Sequence, residues 1–251
     1  MTISQSIILG LIQGLTEFLP VSSSGHLVIF QHLLNLSEPP VVFDVLVHLA
    51  TSLAIIIVLF KSLIKITLKQ ITIIVVASLP AAIIGLLLNS QIEQLFSSLK
   101  LVSFALLITA AFLFSTKLQP KADRPLDDKN KKINFKNSIL IGFSQALAII
   151  PGISRSGSTI VTGLHTGLSP STAFNFSFML SLPAIFGAQL LQINKLASLS
   201  SLELPSLIIG FITAFASGLL ALNLLKRFVI NGKLHYFGYY CLVLSALTLF
   251  I

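Results

Sequence analysis

Two apolar segments of this sequence, residues 3–36 and 137–168, are each interrupted near the middle by proline, glycine and serine. The apolar halves beside each interruption hold only about 10 to 16 residues, too few to cross a hydrocarbon core about 30 Å thick. Such a pattern is typical of a re-entrant hairpin, which dips to mid-membrane and returns. Because irregular backbone at that depth needs protein or water around it, the interruptions predict two polar sites inside a membrane.

The composition supports a membrane environment. Hydrophobic residues make up 55% of the 251 residues and charged residues 10%, with a mean hydropathy of +0.96, whereas soluble domains carry about 25% charged residues. The surplus of apolar side chains has to face lipid, so we predict an all-α polytopic membrane protein. Six further apolar segments are predicted to cross the membrane, which takes about 20 residues each. They are residues 41–60, 71–88, 101–115, 174–191, 204–225 and 236–251.

The two interrupted segments are copies of each other. A single constant offset along the chain places Gln13 on Gln145, Ser22 on Ser154, Ser24 on Ser156 and Gly25 on Gly157. Three predicted spans follow each copy, and an odd number between the copies inverts the second relative to the first. We therefore predict one membrane-embedded domain, 1–251, built as an inverted-topology repeat. Its halves are about 1–116 and 137–251, joined by a basic loop, 117–136.

The basic residues test this layout. The loops at 61–69, 117–136 and 226–233 fall on one predicted side and hold 13 of the 16 lysines and arginines. Cytoplasmic loops of membrane proteins are enriched in Lys and Arg, so these loops are predicted to be cytoplasmic and both termini to lie outside. The net charge of +8 is explained by this topology and does not indicate a nucleic-acid partner.

Gln13 and Glu17 are the polar pair at the end of the first hairpin's entry helix. They are four residues apart and therefore share a helix face. A carboxylate buried without a partner costs several kcal/mol or takes up a proton. Glu17 is therefore expected to have a cation, a metal ion or a shared proton beside it.

Three hydroxyls follow Pro20, which ends the entry helix. Ser22, Ser23 and Ser24 open a new helix, and the free N–H groups at a helix start favour an anion. His26 comes next and can exchange a proton near neutral pH. This turn is therefore predicted to bind an anionic group and to carry catalytic side chains.

Arg155 lies at the apex of the second hairpin, between Ser154 and Ser156, and Thr159 follows one turn later. A guanidinium is always charged and binds phosphate oxygens through two parallel hydrogen bonds. These four residues predict a phosphate-binding loop. Inverted repeats bring the two apices together near mid-membrane, so Glu17 is expected to meet Arg155 around an anion such as a phosphate or diphosphate.

Three polar residues are expected to support this site. Asp44 and His48 share a helix face at the start of the first span, and they are interpreted as outer supports or as a metal-ligand pair. Gln145, the repeat partner of Gln13, is expected to hydrogen bond across the pseudo-symmetry axis. A soluble anion would make the protein a transporter, and a lipid-linked diphosphate would make it an enzyme.

At these residues the sequence resembles the bacitracin-resistance family of undecaprenyl-diphosphate phosphatases. The resemblance rests on QGLTEFLPVSSSGH at 13–26, PGISRSGST at 151–159 and FDVLVHLATSLA at 43–54. It implies hydrolysis of undecaprenyl diphosphate to undecaprenyl phosphate and inorganic phosphate, which recycles the lipid carrier of cell-wall synthesis in the bacterial plasma membrane. It also implies a divalent cation, Mg²⁺ or Ca²⁺, and a homodimer surrounded by membrane lipids.

The resemblance also implies roles for single residues. Gln13 and Glu17 fill the acidic motif and would hold the metal, although many members carry glutamate in place of Gln13. Ser23 and His26 match the catalytic hydroxyl and histidine. The matches to the phosphate-binding loop are Ser154, Arg155 and Thr159. The nucleophile stays open between Ser23 and a water activated by Glu17 or His26, and a transporter or flippase of a phosphorylated lipid stays the alternative function.

Overall fold

The computed structural model describes residues 1–34, 41–95, 98–118, 133–192 and 204–250. These residues form α-helices joined by short connections, and no β-strand occurs in the described ranges, which confirms the all-α prediction. The helices are α1 (Ile3–Phe18), α2 (Ser23–Leu33), α3 (Val41–Val58), α4 (Phe60–Leu63), α5 (Leu68–Leu87), α6 (Asn89–Leu95), α7 (Leu99–Ser115), α8 (Phe135–Leu147), α9 (Arg155–His165), α10 (Pro170–Leu191), α11 (Leu204–Ile230) and α12 (His235–Thr248).

Both interrupted segments form a helix, a tight turn and a second helix. The second helices, α2 and α9, have 11 residues each, and the offset that relates the two sequence copies places one on the other. Each begins with a serine cap: Ser22 Oγ accepts from Gly25 N at 3.3 Å, and Ser154 Oγ accepts from Gly157 N at 3.1 Å. A helix of 11 residues is about 16 Å long, so neither could cross a bilayer by itself.

Four described helices are long and apolar enough to cross a membrane, by length and composition: 68–87, 99–118, 170–191 and 204–230. They confirm a polytopic membrane protein. Two of the six predicted spans are shorter than expected. Helix α3 has 18 residues and ends before α4, and α12 has 14 residues, which makes it about 21 Å long.

The helices of the two halves exchange partners. Helix α1 packs along α11, and its repeat counterpart α8 packs along α5. Helices α7 and α12 pack together and are joined by two serines: Ser103 Oγ donates to Ser245 O at 2.7 Å, and Ser245 Oγ donates to Ser103 O at 2.8 Å. This reciprocal pair has the form that an approximate two-fold axis between the halves would produce.

Small residues allow the closest of these contacts. A β-carbon on Gly142 of α8 would stand 2.2 Å from the carbonyl oxygen of Ala77 in α5, and one on Gly14 of α1 would stand 2.3 Å from that of Ala214 in α11. Small residues at helix interfaces are the usual basis of close packing inside membranes.

Most of the predicted loop 117–136 lies outside the described residues, so the division into halves stays a prediction.

Candidate active site

A cavity of about 650 Å³ lies where the two helix turns meet, enclosed by α1, α2, α3, the α8–α9 turn and the end of α10. The sequence-predicted residues that line it are Glu17, Ser22, Ser23, Ser24, Asp44, His48, Ser154 and Arg155. Residues from both halves of the chain therefore share one polar pocket, as the predicted meeting of the two apices requires.

Glu17 and Arg155 form a salt bridge across the two turns. Arg155 Nη2 donates to Glu17 Oε1, and the side chains of Arg155 and Glu17 are 16% and 6% exposed. The guanidinium carbon lies 5.6 Å from the ring centre of Phe178, so an aromatic face supports the arginine. Arg155 Nη1 is buried and has no hydrogen-bond partner within the described structure. One half of the guanidinium fork is therefore available to an anion.

The turns themselves are joined through Ser22. Gly152 N of the second turn donates to Ser22 Oγ at 3.0 Å. Ser22 has a φ of 68°, the one positive φ of a non-glycine residue within the described ranges. Such backbone costs about 1–3 kcal/mol and occurs preferentially at functional sites. The strained turn places Ser23, the next residue, toward Glu17.

Thr109 of α7 fixes the second turn, a role that was not predicted from the sequence. Its hydroxyl donates to Gly152 O at 2.8 Å and accepts from Ser154 N at 3.0 Å. It lies in an apolar segment with no motif around it, and its role depends on packing between α7 and α9. No local sequence signal distinguishes it from other threonines in the spans.

Glu17 Oε2 is the centre of a hydrogen-bond network on the first hairpin. Ser23 Oγ donates to it at 2.6 Å, and Gln13 Nε2 donates to it at 3.1 Å. The same Gln13 nitrogen lies 2.8 Å from His48 Nδ1. Because an amide nitrogen only donates, His48 Nδ1 accepts here. His48 Nδ1 is also 3.6 Å from Glu17 Oε2, which brings this histidine closer to the site than its predicted supporting role required.

His26 points away from Glu17. Its Nδ1 is 2.8 Å from Ser22 O, its Nε2 is 2.7 Å from Tyr240 OH, and its ring stacks on Tyr240. The residue is buried and is not among those that line the cavity. In the structure His26 therefore links the first turn to α12, outside the cavity that it was expected to face as a catalytic residue.

Ser156 and Thr159 also lie outside the cavity lining. Thr159 Oγ1 donates to Arg155 O at 2.8 Å and lies 2.6 Å from Ser177 Oγ. Ser156 Oγ lies 3.4 Å from Leu19 O, to which it donates. Both side chains are buried and hold the start of α9 against its surroundings, so they position Arg155 without reaching the pocket.

The prediction that Gln145 forms a hydrogen bond across the pseudo-symmetry axis is wrong. Both polar atoms of its side chain are buried and have no partner in the described part of the chain. The reason lies in the repeat: the offset that aligns Gln13 with Gln145 places Ile149 and Leu180 where the first half has Glu17 and His48. The second copy therefore lacks the groups that bind the amide of Gln13.

Asp44 faces the cavity one helical turn before His48. Both of its carboxylate oxygens accept from Gln31 Nε2 at 3.3 Å. Two further amides, Gln189 and Gln192, also line the pocket. Their Oε1 atoms are buried and have no partner among the residues that the structure describes. The cavity therefore has further polar side chains in its lining, and of these only Asp44 was predicted from the sequence.

The whole chain is similar to proteins of one known family. The family described as "Bacitracin resistance protein BacA" matches residues 6–247. A protein of Thermosipho africanus is 43% identical over 98% of both chains, and one of Thermosipho melanesiensis is 44% identical over 95% of both. A third, from Desulfosudis oleivorans, is 42% identical over 98% of this chain and 97% of its own. All three are named undecaprenyl-diphosphatase. The chain therefore belongs to the bacitracin resistance protein BacA family.

Proposed function

We propose that this protein is an integral membrane phosphatase that hydrolyses undecaprenyl diphosphate to undecaprenyl phosphate and inorganic phosphate. The observation that carries this proposal is the Ser23–Glu17–Arg155 cluster, in which a hydroxyl, a carboxylate and a guanidinium share one pocket. The relatives named undecaprenyl-diphosphatase support the substrate. The product returns the lipid carrier to cell-wall synthesis, and this recycling is the basis of bacitracin resistance.

The second turn supplies the phosphate clamp. Arg155 Nη1 has no partner in the described structure and can bind one phosphate oxygen. Nη2 can keep its hydrogen bond to Glu17 or donate to a second phosphate oxygen in its place. The start of α9 adds backbone N–H groups and the positive end of the helix dipole. Ser154 lines the pocket at this helix start. Charge that develops on the phosphoryl oxygens would therefore meet fixed positive groups.

The first turn supplies the nucleophile. Ser23 Oγ lies 2.6 Å from Glu17 Oε2, within the reach that a nucleophile and its base require. The hydroxyl attacks the terminal phosphorus, the bond from that phosphorus to the bridging oxygen breaks, and undecaprenyl phosphate leaves while Glu17 takes the proton. Water then breaks the phosphoserine bond. The serine oxygen regains a proton, and the remaining proton leaves with the products.

His48 is assigned to the handling of this proton. It is the histidine whose ring nitrogen lies 3.6 Å from Glu17 Oε2, and it lines the cavity. Its Nδ1 can receive the proton from Glu17 in exchange for the hydrogen bond from Gln13, and the ring can then donate a proton to water in the pocket. His26 and Tyr240 hold the turn in place, and Gln13 orients Glu17 and His48 together.

A divalent cation, Mg²⁺ or Ca²⁺, is part of this proposal. No group of three or more His, Cys, Asp or Glu side chains placed for a metal ion occurs in the described ranges. Magnesium is, however, commonly held by one or two carboxylates together with substrate phosphates. Gln13 Oε1 is buried without a described partner beside Glu17, so these two side chains fit a cation that arrives with the diphosphate. When bound, it would neutralise phosphate charge.

The membrane arrangement completes the proposal. We assign six crossing segments and two re-entrant hairpins in an inverted repeat, supported by the exchange of partners between α1 and α8 and by the Ser103–Ser245 pair. The basic loops lie in the cytoplasm and both termini outside, as the distribution of Lys and Arg favours. The protein would reside in the bacterial plasma membrane, where membrane lipids surround it, and a homodimer follows from the family resemblance.

The alternative function is a transporter or flippase for a phosphorylated lipid or anion. The exchange of helix partners between the halves favours it, because inverted repeats are common in transporters. An assay of phosphate release by the purified protein from undecaprenyl diphosphate separates the two functions. Release is expected, whereas movement of the lipid across vesicles without any release would support the alternative.

Ser23→Ala is expected to lower the rate of phosphate release by roughly 10³-fold or more, because the variant has no oxygen to form the intermediate. Ser24→Ala is the matched control. Its hydroxyl lies 3.3 Å from Ser22 Oγ and makes no described bond to Glu17, so its effect should stay below about tenfold. Mass spectrometry of the wild type quenched during turnover should find phosphate on Ser23. A Ser23→Ala variant with near-normal turnover would assign the attack to water.

His48→Asn is expected to lower kcat by about 10²-fold, within the range of general acid–base catalysis, with KM little changed. His32→Asn is the control, because His32 is exposed on α2 and does not line the cavity. The measurement is steady-state phosphate release together with the melting temperature of each variant. A normal kcat in His48→Asn would exclude this residue from proton transfer.

A further inference from the structure

A second cavity lies beside the first, between α5, α6 and α8. Its volume is about 390 Å³ and its lining is almost entirely apolar. One wall carries Ile84 and Leu88, and the facing wall carries Phe143, Ala146 and Leu147. We refer to this cavity as the apolar groove. Nothing in the proposed chemistry of the polar pocket uses it.

The apolar groove adjoins the polar pocket. Ile149 lines both cavities, and it lies in the α8–α9 turn. Arg155, the proposed phosphate clamp, follows six residues later at the start of α9. A molecule with its phosphate at Arg155 therefore has an apolar site beside it, on the side of Ile149.

The polar pocket itself is poorly suited to a hydrocarbon chain. Besides the proposed catalytic groups, its lining includes Asp44, Gln31, Gln189 and Gln192. A prenyl chain offers no hydrogen bond to a carboxylate or an amide, so placing it against these groups is unfavourable. An apolar chain is therefore expected outside this pocket.

We infer that the apolar groove binds the isoprene units of the substrate that lie next to its diphosphate. This inference rests on the proposed function and adds the site of the lipid chain. The groove is far smaller than the complete undecaprenyl chain, so the remainder stays in the bilayer. The enzyme therefore recognises the first few isoprene units and is insensitive to chain length beyond them.

This arrangement predicts how wild-type activity depends on chain length. The value of kcat/KM should rise at least about tenfold from dimethylallyl diphosphate, with one isoprene unit, to farnesyl diphosphate, with three, because each further unit buries more apolar surface in the groove. It should then change little for longer chains presented in the same detergent.

Two substitutions fill the groove from opposite walls. Ala146→Phe places a ring in it from α8, and Leu88→Trp enlarges a half-exposed side chain directly after α5. Each should lower kcat/KM for farnesyl diphosphate at least about tenfold, and that for dimethylallyl diphosphate, which places a single isoprene unit in the groove, by a clearly smaller factor. Leu220→Trp is the control, because Leu220 of α11 is 73% exposed and lines neither cavity. If Ala146→Phe fails to fold, Leu88→Trp carries the test.

Each outcome of this experiment decides something. An equal loss for both substrates would mean that the substitutions damage the polar pocket and would overturn the inference. No loss for either would mean that the substrate chain lies elsewhere and that an ordinary bilayer lipid fills the groove. If the wild type releases phosphate from no prenyl diphosphate at all, the proposed function itself fails.

Discussion

Arg155→Lys is expected to lower phosphate release by about 10²–10³-fold even though it keeps the positive charge. The two terminal nitrogens of the guanidinium have different roles. Nη2 donates to Glu17, whereas Nη1 has no described partner and can donate to a phosphate oxygen of the substrate. An ammonium group is a single point charge on a flexible stem and cannot reproduce a planar fork. Loss of one donor to a developing oxyanion costs about 2.7–4 kcal/mol, which corresponds to the expected change in rate.

Arg155→Ala should be more severe, because it also leaves Glu17 without its cation. Removing one partner of a buried ion pair costs about 3–5 kcal/mol, so this variant should lose melting temperature as well as activity. Glu17→Gln combined with Arg155→Ala should recover part of the melting temperature and none of the activity. This pattern separates the structural role of the pair from its chemical role.

The control for both substitutions is Arg227→Lys, at an exposed position near the end of α11. It should leave phosphate release unchanged. Activity would be measured as inorganic phosphate released from undecaprenyl diphosphate by the purified protein. Near-normal turnover in Arg155→Lys and Arg155→Ala would remove this residue from the mechanism and would contradict the proposed phosphate clamp.

The sequence predicted those parts of the site that follow from local rules. The two turns, the new helix that the serines after Pro20 open and the meeting of Glu17 with Arg155 all follow from helix-breaking residues, the properties of helix starts and charge. The repeat also made it possible to match the two halves, because one constant offset along the chain aligns the residues of α2 with those of α9. These features need no knowledge of how distant helices pack.

The parts that the sequence could not predict depend on distant packing. His26 is three residues after Ser23, and helical periodicity places the two on neighbouring faces, yet Tyr240 of α12 draws the ring of His26 away. His48 reaches Glu17 because α3 packs against α1. Thr109 depends in the same way on α7. The sequence identifies which residues can act, and the crossing of the helices selects which of them meet.

The length of the spans shows a similar limit. Hydropathy indicates where apolar residues run, and it located helices α5, α7, α10 and α11 to within a few residues. It also placed the last span at 236–251, where the structure has α12 with 14 residues, which is too short to cross the hydrocarbon core unaided. This helix packs along α7, and its Tyr240 reaches the first turn, so contacts with the rest of the fold determine its position together with hydrophobicity.

Gly142→Ala is expected to disrupt the packing of α8 on α5. A β-carbon there would stand 2.2 Å from the carbonyl oxygen of Ala77 and 3.0 Å from its carbonyl carbon. Both atoms belong to the backbone of a neighbouring helix, so no rotation of a side chain can relieve the overlap. Overpacking of this kind typically costs about 1–3 kcal/mol and occasionally more.

Gly85→Ala offers a matched control on the helix that Gly142 contacts. Gly85 lies in α5, and a β-carbon on it would have no neighbouring atom within 4 Å. The substitution adds the same methyl group to the same pair of helices, and alanine favours a helix over glycine by about 0.8–1.0 kcal/mol. Its melting temperature should therefore be unchanged or higher, whereas that of Gly142→Ala should fall.

Activity should follow the packing of α8, because this helix leads directly into the turn that ends at Arg155. If α8 moves away from α5, the guanidinium leaves its place beside Glu17, and a misplacement of about 1 Å can cost 10²-fold in rate. Phosphate release by Gly142→Ala should therefore fall even at temperatures where the variant stays folded. Equal melting temperatures and equal activities for Gly142→Ala and Gly85→Ala would contradict the close packing of α8 on α5 and, with it, the way in which the second half positions Arg155.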